Sequence, residues 1–215
     1  MVAPTKISEL TLKLTDSIPS IKLKINGAIA IHLNSLFLKK KGYIENQLRD
    51  LVGIWIRSQP EIQSLAMSGN LAGQFGLPAG TALGAAHRIV TSVQQSTQVT
   101  MKKINQKLEG GLTISCQPSS FANLLGMPDG HVKTLDGDLH WLRWLLESGS
   151  KILVVNYHYT PSSGFGRSKI GVMEKGGAWR VPPEFSGTLE DNFITRAFVN
   201  KEKDLNALFG RLLKG

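Results

Sequence analysis

The residues of this sequence that could do chemistry are concentrated in two short segments, Asp129-Gly-His131 and Asp136-Gly-Asp138-Leu-His140. Carboxylates and imidazoles this close together raise the question of a metal site. Their spacing lacks the ladder of oxygen ligands and the closing Glu of a calcium loop, and it matches no zinc motif. Asp and Gly also form turns, and Asp138 is a suitable N-cap for a following helix. We therefore expect turns here and no bound metal.

The sequence contains no motif of nucleophilic or phosphate-handling enzymes. The segment Gly164-Phe-Gly166-Arg-Ser-Lys-Ile-Gly171 is glycine-rich but lacks the Gly-Lys-Ser/Thr of a P-loop and the spacing of a dinucleotide-binding loop. Neither Gly-x-Ser-x-Gly nor His-Glu-x-x-His occurs, and the single cysteine, Cys116, is expected to be a small core residue. These features predict a protein without enzymatic activity and without a cofactor.

Basic residues outnumber acidic residues. The 215 residues include 25 Lys and Arg and 16 Asp and Glu, which gives a formal net charge of +9. Such a charge suits a nucleic acid or an acidic protein as a neighbour, although a solvated basic exterior is the simpler explanation. The densest basic run is the candidate DNA-facing site, with a solvated helix end as the alternative; it consists of Lys39, Lys40 and Lys41.

The composition indicates one domain, with or without an arm, in a reducing compartment. No apolar run reaches the roughly 18 residues that a membrane span requires. The N-terminal residues lack the continuous apolar core of a secretory signal, and one cysteine cannot form an intrachain disulfide. We therefore expect synthesis in the cytoplasm and no membrane contact.

Residues 1–27 are expected to form an extended arm or hairpin. Apolar and polar residues alternate in residues 6–14 and again in residues 21–25, which is the pattern of half-buried strands, and a break that includes Pro19 separates them. We expect this arm to contact a neighbouring subunit through apolar side chains that include Leu10, Leu12 and Leu23.

Residues 28–215 are expected to form a single α+β domain. From Ala28 to Pro60 the apolar residues follow a helical period, which predicts one long helix. Shorter helices are predicted over residues 79–94, 139–147 and 204–213, and from Thr188, which forms a capping pair with Asp191. Strand patterns predict one hairpin over residues 97–107 and 112–116, a strand over 152–159, and a second hairpin over 170–173 and 178–181. The predicted architecture is a long N-terminal helix packed on a twisted antiparallel sheet, with shorter helices and the N-terminal arm.

The helix predicted over residues 139–147 carries more apolar surface than a one-sided helix needs. Its leucines share one face, while Trp141 and Trp144 lie at the borders, with Trp144 next to the polar side. Tryptophan in this position packs within the chain or meets another subunit. The loop over residues 160–169 has little apolar content, so burial cannot anchor it. The candidate partner-contacting residues here are Trp144, Arg167 and Lys169.

Four segments of the second half follow one another in a recognisable order. They are Leu139-His-Trp-Leu-Arg-Trp-Leu-Leu-Glu-Ser-Gly-Ser150, Gly166-Arg-Ser-Lys-Ile-Gly-Val-Met173, Trp179-Arg-Val-Pro-Pro-Glu-Phe-Ser-Gly-Thr188 and Asp191-Asn-Phe-Ile-Thr-Arg-Ala197. This order resembles the neck and tail-completion proteins of tailed bacteriophages, the small components that join head and tail. In that family a long helix precedes a twisted antiparallel sheet, a Trp-rich turn enters a strand, and a Pro-rich stop leads to a last helix. The agreement covers residues 28–197, and residues 2–26 are an addition to the minimal family pattern.

The resemblance implies a structural virion protein. Such a protein forms a homo-oligomeric ring between the portal or adaptor protein and the tail terminator or tube proteins. It surrounds the packaged DNA in the channel and belongs to the neck of the virion after synthesis in the host cytoplasm. The alternative is a non-enzymatic basic nucleic-acid-binding protein, which the charge alone supports.

Overall fold

A computed structural model of the protein describes residues 15–67, 70–118, 120–134, 137–161 and 166–214, and the statements below concern these residues. The architecture is α+β, as predicted. The helices are α1 (Ile18–Arg57), α2 (Pro60–Ala66), α3 (Asn70–Gln74), α4 (Thr81–Ser96), α5 (Ala122–Leu125), α6 (Trp141–Leu146), α7 (Phe193–Ala197) and α8 (Glu202–Lys214). The strands are β1 (Gln98–Lys102), β2 (Gly111–Ser115), β3 (Val132–Thr134), β4 (Gly137–Leu139), β5 (Ile152–Pro161) and β6 (Gly171–Arg180).

The strands do not form one large sheet in the described part of the chain. They pair as three separate two-stranded sheets, β1 with β2, β3 with β4, and β5 with β6. Each described strand therefore pairs with its neighbour in sequence, and α5 and α6 lie in the connections between the three pairs. The predicted long N-terminal helix is confirmed, whereas the structure shows no single twisted sheet on which it packs.

Helix α1 begins earlier than the sequence pattern indicates. Ser17 caps it, since the Ser20 backbone N–H lies 3.3 Å from the Ser17 side-chain oxygen and Ile21 N–H donates to the Ser17 carbonyl at 3.0 Å. Pro19 occupies the first turn, where its missing N–H costs nothing. The predicted strand over residues 21–25 is therefore wrong, because this segment is helical. The other half of the predicted arm, residues 6–14, lies outside the described residues.

The chain divides into two compact units. The first contains Met1–Lys41 and Thr100–Thr113, and the second contains Gly42–Val99 and Ile114–Gly215. In the first unit, Asn34 of α1 binds the segment that follows β1 through both ends of its amide. Its Nδ2 donates to the Ile104 carbonyl at 2.9 Å, and its Oδ1 accepts from the Ile104 N–H at 2.8 Å.

The second unit contains a continuous hydrophobic core. The C-terminal part of α1 packs closely on α4 at Gly53, where Gln94 donates to the Arg49 carbonyl at 3.0 Å. Trp55 donates its Nε1–H to Asp204 at 2.8 Å and meets the ring of Phe198 edge to face. The fully buried large side chains of this core include Ile56, Leu65, Leu71, Phe75, Ile89, Leu124, Trp141, Leu142, Leu145 and Phe193. Among the described helices, none is both long and apolar enough to cross a membrane.

Strands β5 and β6 form a ten-residue antiparallel ribbon. The register runs from Ile152 opposite Arg180 to Pro161 opposite Gly171. The predicted hairpin over residues 170–181 is wrong, because these residues form one strand that pairs with β5 along its length. Gly176 and Gly177 have φ values of 115° and 73°, and they lie where the register shifts, so they form an irregularity within the strand and not a chain reversal.

A capping box formed by Asn192 and Thr195 caps the N-terminus of α7. The side-chain oxygen of Asn192 accepts from the N–H groups of Ile194 at 3.0 Å and Thr195 at 3.2 Å, and Thr195 Oγ1 accepts from the Asn192 N–H at 2.8 Å. The predicted capping pair is thus in the wrong place. Thr188 and Asp191 close a preceding turn instead, through Thr188 N–H to the Asp191 carbonyl at 2.8 Å.

Candidate partner interface

Trp144 and Arg167, both predicted to contact a partner, lie at the same cavity of about 300 Å³ in the second unit. Three aromatic rings line it: Phe75 after α3, Trp144 of α6 and Trp179 of β6. The ring centroids are 5.5 Å apart for Trp144 and Trp179 and 5.8 Å apart for Phe75 and Trp144, with the ring planes inclined at 62° and 59°. Inclined aromatic pairs at these distances are favourable, so the wall is preformed.

The two tryptophans of α6 have different surroundings. Trp141 is fully buried and stacks on Phe75 with a centroid distance of 5.2 Å, so it packs within the chain. Trp144 is half-buried, since one part of its ring packs against the aromatic cluster and it also lines the cavity. Trp144 therefore contributes both to the core and to a surface that another molecule can reach.

Arg167 is held by backbone carbonyls of two distant segments. Its Nε donates to the Gly76 carbonyl at 2.7 Å, and its Nη1 donates to the Lys133 carbonyl at 2.6 Å. Although Arg167 is exposed, these charge-assisted hydrogen bonds anchor the described end of its loop without burial of apolar groups. Lys169, the third predicted contact of this region, lies at a different cavity beside Pro78 and Leu83.

Tyr159 of β5 fits between two glycines, Gly73 of α3 and Gly171 of β6. A Cβ on Gly171 would lie 2.5 Å from the Tyr159 hydroxyl, and a Cβ on Gly73 would lie 2.9 Å from Cζ of the same ring. The hydroxyl is buried with no hydrogen-bond partner among the described residues. Burial raises the pKa of Tyr159. The absence of side chains at both glycines thus brings α3 directly against the ribbon.

An exposed part of strand β5 continues from this cavity. Val154 lines the cavity, and the adjacent Val155 has 67% of its surface exposed. Ile152 is 60% exposed and Tyr157 38% exposed. We call these three exposed residues, Ile152, Val155 and Tyr157, the ribbon surface.

The predicted DNA-facing lysines lie within α1 and not at its end. The helix continues past Lys41 to Arg57, so the alternative of a solvated helix end is wrong. Lys39 and Lys41 are exposed, and Lys40 is half-buried. Residues 18–41 contain five lysines and no Asp or Glu, so every Lys, Arg, Asp or Glu in this part of α1 is basic, and Lys24 among them pairs with Asp16 at 2.6 Å.

Of the predicted subunit contacts, Leu23 of α1 is 48% exposed and lines a groove of the first unit. Leu10 and Leu12 lie outside the described residues. The structure therefore brings Trp144 and Arg167 together and places Leu23 and the lysines on a separate unit.

The two Asp–Gly segments form a histidine pair. The rings of His131 and His140 stack with centroids 3.9 Å apart, and His131 Nδ1 lies 3.0 Å from an Asp138 carboxylate oxygen. Burial, and then the charge of His131, lower the pKa of His140. Asp138 is not the N-cap of α6. It belongs to β4, where it pairs with Lys133 of β3, and His140 occupies the cap position. The described residues contain no group of three or more side chains that could hold a metal ion.

One buried ion pair has no signal in the sequence. Glu61 of α2 is fully buried and pairs with Arg196 of α7, which also contacts Asp191 at 3.0 Å. Burial raises the pKa of Glu61, and the charge of Arg196 opposes this effect. Arg196 belongs to a segment that resembles the neck proteins, but no pattern around Glu61 indicates its partner.

These observations describe a surface with a preformed aromatic cavity, an anchored arginine and an exposed apolar ribbon. Its residues come from α3, α6, β5 and β6, all of which follow α1 in the sequence. Comparison of the chain with protein-family models, curated proteins and solved structures found no match.

Proposed function

We propose that the chain is a structural, non-enzymatic component of the head–tail interface of a tailed bacteriophage. In this proposal, copies of the chain form a ring that joins the portal or adaptor protein to the tail terminator or tube proteins and surrounds the packaged DNA. The proposal starts from the resemblance of the four segments between residues 139 and 197 to neck proteins.

The ribbon surface is the observation that carries the proposal. In the described residues, β5 and β6 pair only with each other, so each strand has an outer edge whose backbone groups no other strand covers. Exposed edges with apolar side chains accept a strand from another copy. The predicted twisted antiparallel sheet would then form between copies, when the ribbons of neighbouring subunits join.

The segments that resemble neck proteins are fixed to one another and to α2, and Trp144 joins them to the ribbon at Trp179. Gly187 packs against the backbone of Leu145, with no room for a side chain. Asn192 donates to the Thr188 carbonyl at 2.7 Å, and Arg196 pairs with the buried Glu61. A rigid support suits a ring, because a closed ring requires the same angle between every pair of neighbours.

The basic part of α1 supports the DNA-facing role of Lys39, Lys40 and Lys41. Residues 18–41 carry five lysines and no acidic residue, and although Lys24 pairs with Asp16 at 2.6 Å, the excess positive charge favours a phosphate backbone. A lining of this kind binds DNA without reading its sequence, which suits a channel through which the whole genome passes.

The mass of the purified protein in solution tests the proposal when it is measured together with a ribbon variant. We expect the wild type to form one closed oligomer of defined mass, and Val155→Lys to lower this mass, because lysine on an exposed strand opposes pairing between copies. Val199→Lys is the matched control, because Val199 is 59% exposed outside the ribbon.

A wild type that stays monomeric at all concentrations would contradict the proposal. So would an oligomer that Val155→Lys and Val199→Lys weaken equally. A monomer that binds DNA tightly would favour the alternative of a basic nucleic-acid-binding protein.

A further inference from the structure

The cavity at Trp144 and Arg167 has room for one large side chain of another molecule. Its volume of about 300 Å³ is at the lower end of the roughly 300–1,000 Å³ typical of ligand pockets. Besides the three aromatic rings, its apolar lining includes Leu139, Val154, Val172 and Met173. Arg167 is the only Lys, Arg, His, Asp or Glu among the described residues that line it. An apolar group next to a negative charge therefore complements this lining.

Arg167 supplies a positive charge that no described carboxylate neutralises. Its hydrogen bonds go to the backbone carbonyls of Gly76 and Lys133, and no described Asp or Glu forms an ion pair with it. These bonds use Nε and Nη1, so Nη2 has no partner among the described residues. Because two carbonyls already hold the guanidinium in one orientation, a carboxylate can bind it with little further loss of side-chain freedom.

Gln74 gives the same cavity an acceptor without a donor. It belongs to the lining, and its side-chain Oε1 is buried with no hydrogen-bond partner among the described residues. A buried polar atom without a partner is unfavourable, and an N–H group of a bound molecule would remove this cost. The lining thus combines an apolar wall, a fixed cation and an unsatisfied acceptor.

We propose that this cavity binds the C-terminal residue of a partner protein, with a large apolar side chain such as that of phenylalanine. The side chain lies against the rings, the terminal carboxylate binds Arg167, and the backbone N–H of the same residue donates to Gln74. These three groups are attached to one Cα atom, so a single residue satisfies all three features of the lining. An internal Asp or Glu carries its carboxylate on its side chain and cannot also fill the apolar space. Capture of a terminal carboxylate is a recurring mode of peptide recognition.

This binding mode rests on the proposed function, because it states what a neighbour at the head–tail interface presents to the cavity. Binding of a short peptide to one chain does not require a ring. The peptide measurement can therefore fail while the ring forms, and it can succeed when no ring forms.

Fluorescence anisotropy with the full-length chain tests the proposal. The probe is the peptide Ser-Gly-Ser-Gly-Ser-Phe, labelled with fluorescein at its N-terminus. We expect the peptide with a free carboxylate to bind about tenfold more tightly than the same peptide with a C-terminal amide, because the amide cannot form the charge-assisted hydrogen bonds to Arg167. Alanine in place of the terminal phenylalanine should also weaken binding about tenfold, because the apolar space is left unfilled.

Two protein variants then assign the carboxylate to its partner. Arg167→Gln should make the acid and amide peptides bind equally. Arg57→Gln is the matched control, because Arg57 is exposed, does not line the cavity and carries the same charge; it should keep the tenfold difference. The ratio of two affinities on one variant does not depend on how much of that variant is folded, since both affinities fall by the same factor.

Absence of binding, or equal binding of the acid and amide peptides to the wild type, would overturn the proposal. So would a difference between the two peptides that Arg167→Gln preserves, or one that Arg57→Gln also removes. A terminal alanine that binds as tightly as phenylalanine would show that the apolar space does not receive the side chain.

Discussion

Glu61 is a buried carboxyl group whose charge state depends on its environment. Burial raises its pKa above the usual value of 4.5, and the guanidinium of Arg196 opposes that rise only in part. The folded protein therefore holds a proton on Glu61 more tightly than the unfolded chain does. Between the unfolded and the folded pKa, the free energy of unfolding must fall as the pH rises.

We predict that Glu61→Gln removes this pH dependence. Urea unfolding of the wild type from pH 4.5 upwards should show a decrease in stability that the variant lacks, because glutamine does not titrate in this range. Arg196 keeps its contact with Asp191 in the variant, so the chain should still fold. Parallel curves for the two proteins across this range would contradict the assignment.

Gly73 is the residue where α3 touches the ribbon, and its substitution tests that contact. We predict that Gly73→Ala lowers stability by about 1–3 kcal/mol, because the new methyl group meets the Tyr159 ring and overpacks the site. The measurement is the urea midpoint at neutral pH. Adding Tyr159→Phe should restore part of the loss, because it removes the hydroxyl nearest to the new methyl group.

Gly42→Ala is the control for this substitution. Gly42 also lies in a helix, and nothing is within 4 Å of the position of its Cβ. Alanine should stabilise there by about 0.5–1 kcal/mol through helix propensity. If Gly73→Ala also stabilises the protein, the close contact with Tyr159 does not restrict this site.

At the scale of elements, the hypothesis that the basic part of α1 faces DNA can be tested by the salt dependence of DNA binding. The slope of log K against log salt for duplex DNA is about −0.9 for each phosphate contact. We predict that the double variant Lys39→Ala and Lys41→Ala makes the slope less negative by about 1.8, since it removes two such contacts. Fluorescence anisotropy with a duplex of mixed sequence gives the slope.

Lys133→Ala with Lys203→Ala is the matched control, because both lysines are exposed, belong to the second unit and lie outside the ribbon. This pair changes the net charge by the same amount. If both double variants shift the slope equally, the basic part of α1 has no special role and the net charge of the chain explains binding.

Apolar periodicity in the sequence correctly predicted those helices and strands whose formation depends mainly on neighbouring residues. The amphipathic helices α4 and α8 and the β1–β2 pair lie close to their predicted bounds. Residues 21–25 alternate and yet are helical, because five residues are too few to distinguish the two periods and the Ser17 cap starts the helix before them. Residues 170–181 were predicted as a hairpin because Gly-Gly occurs in strand irregularities as well as in turns, and only the length of β5 distinguishes the two.

The candidate site depended on contacts that no local pattern contains. Trp144 and Arg167 were predicted from residue type, but the carbonyls that hold Arg167 belong to residues 91 and 34 positions away. Phe75, which completes the aromatic wall with Trp144 and Trp179, follows a five-residue helix in a Gly-rich stretch without a clear apolar period. Glu61 reaches Arg196 across 135 residues. Such pairs become visible only when the fold brings them together.

At the scale of the whole molecule, the proposed function requires that copies of this chain close into a ring. In the proposed ring, the outer edges of β5 and β6 pair between copies, and Trp144 of α6 holds the ribbon through Trp179 of β6. A heterologous contact of this kind gives a ring if the rotation between neighbours closes and an open filament if it does not.

Electron microscopy of the purified full-length protein tests this claim most directly. We predict class averages that show a closed ring with rotational symmetry and an open centre, and we predict that Val155→Lys dissociates the ring while Val199→Lys preserves it. Single small particles without symmetry, or open filaments under all conditions, would contradict the claim that this chain forms the ring of a head–tail interface.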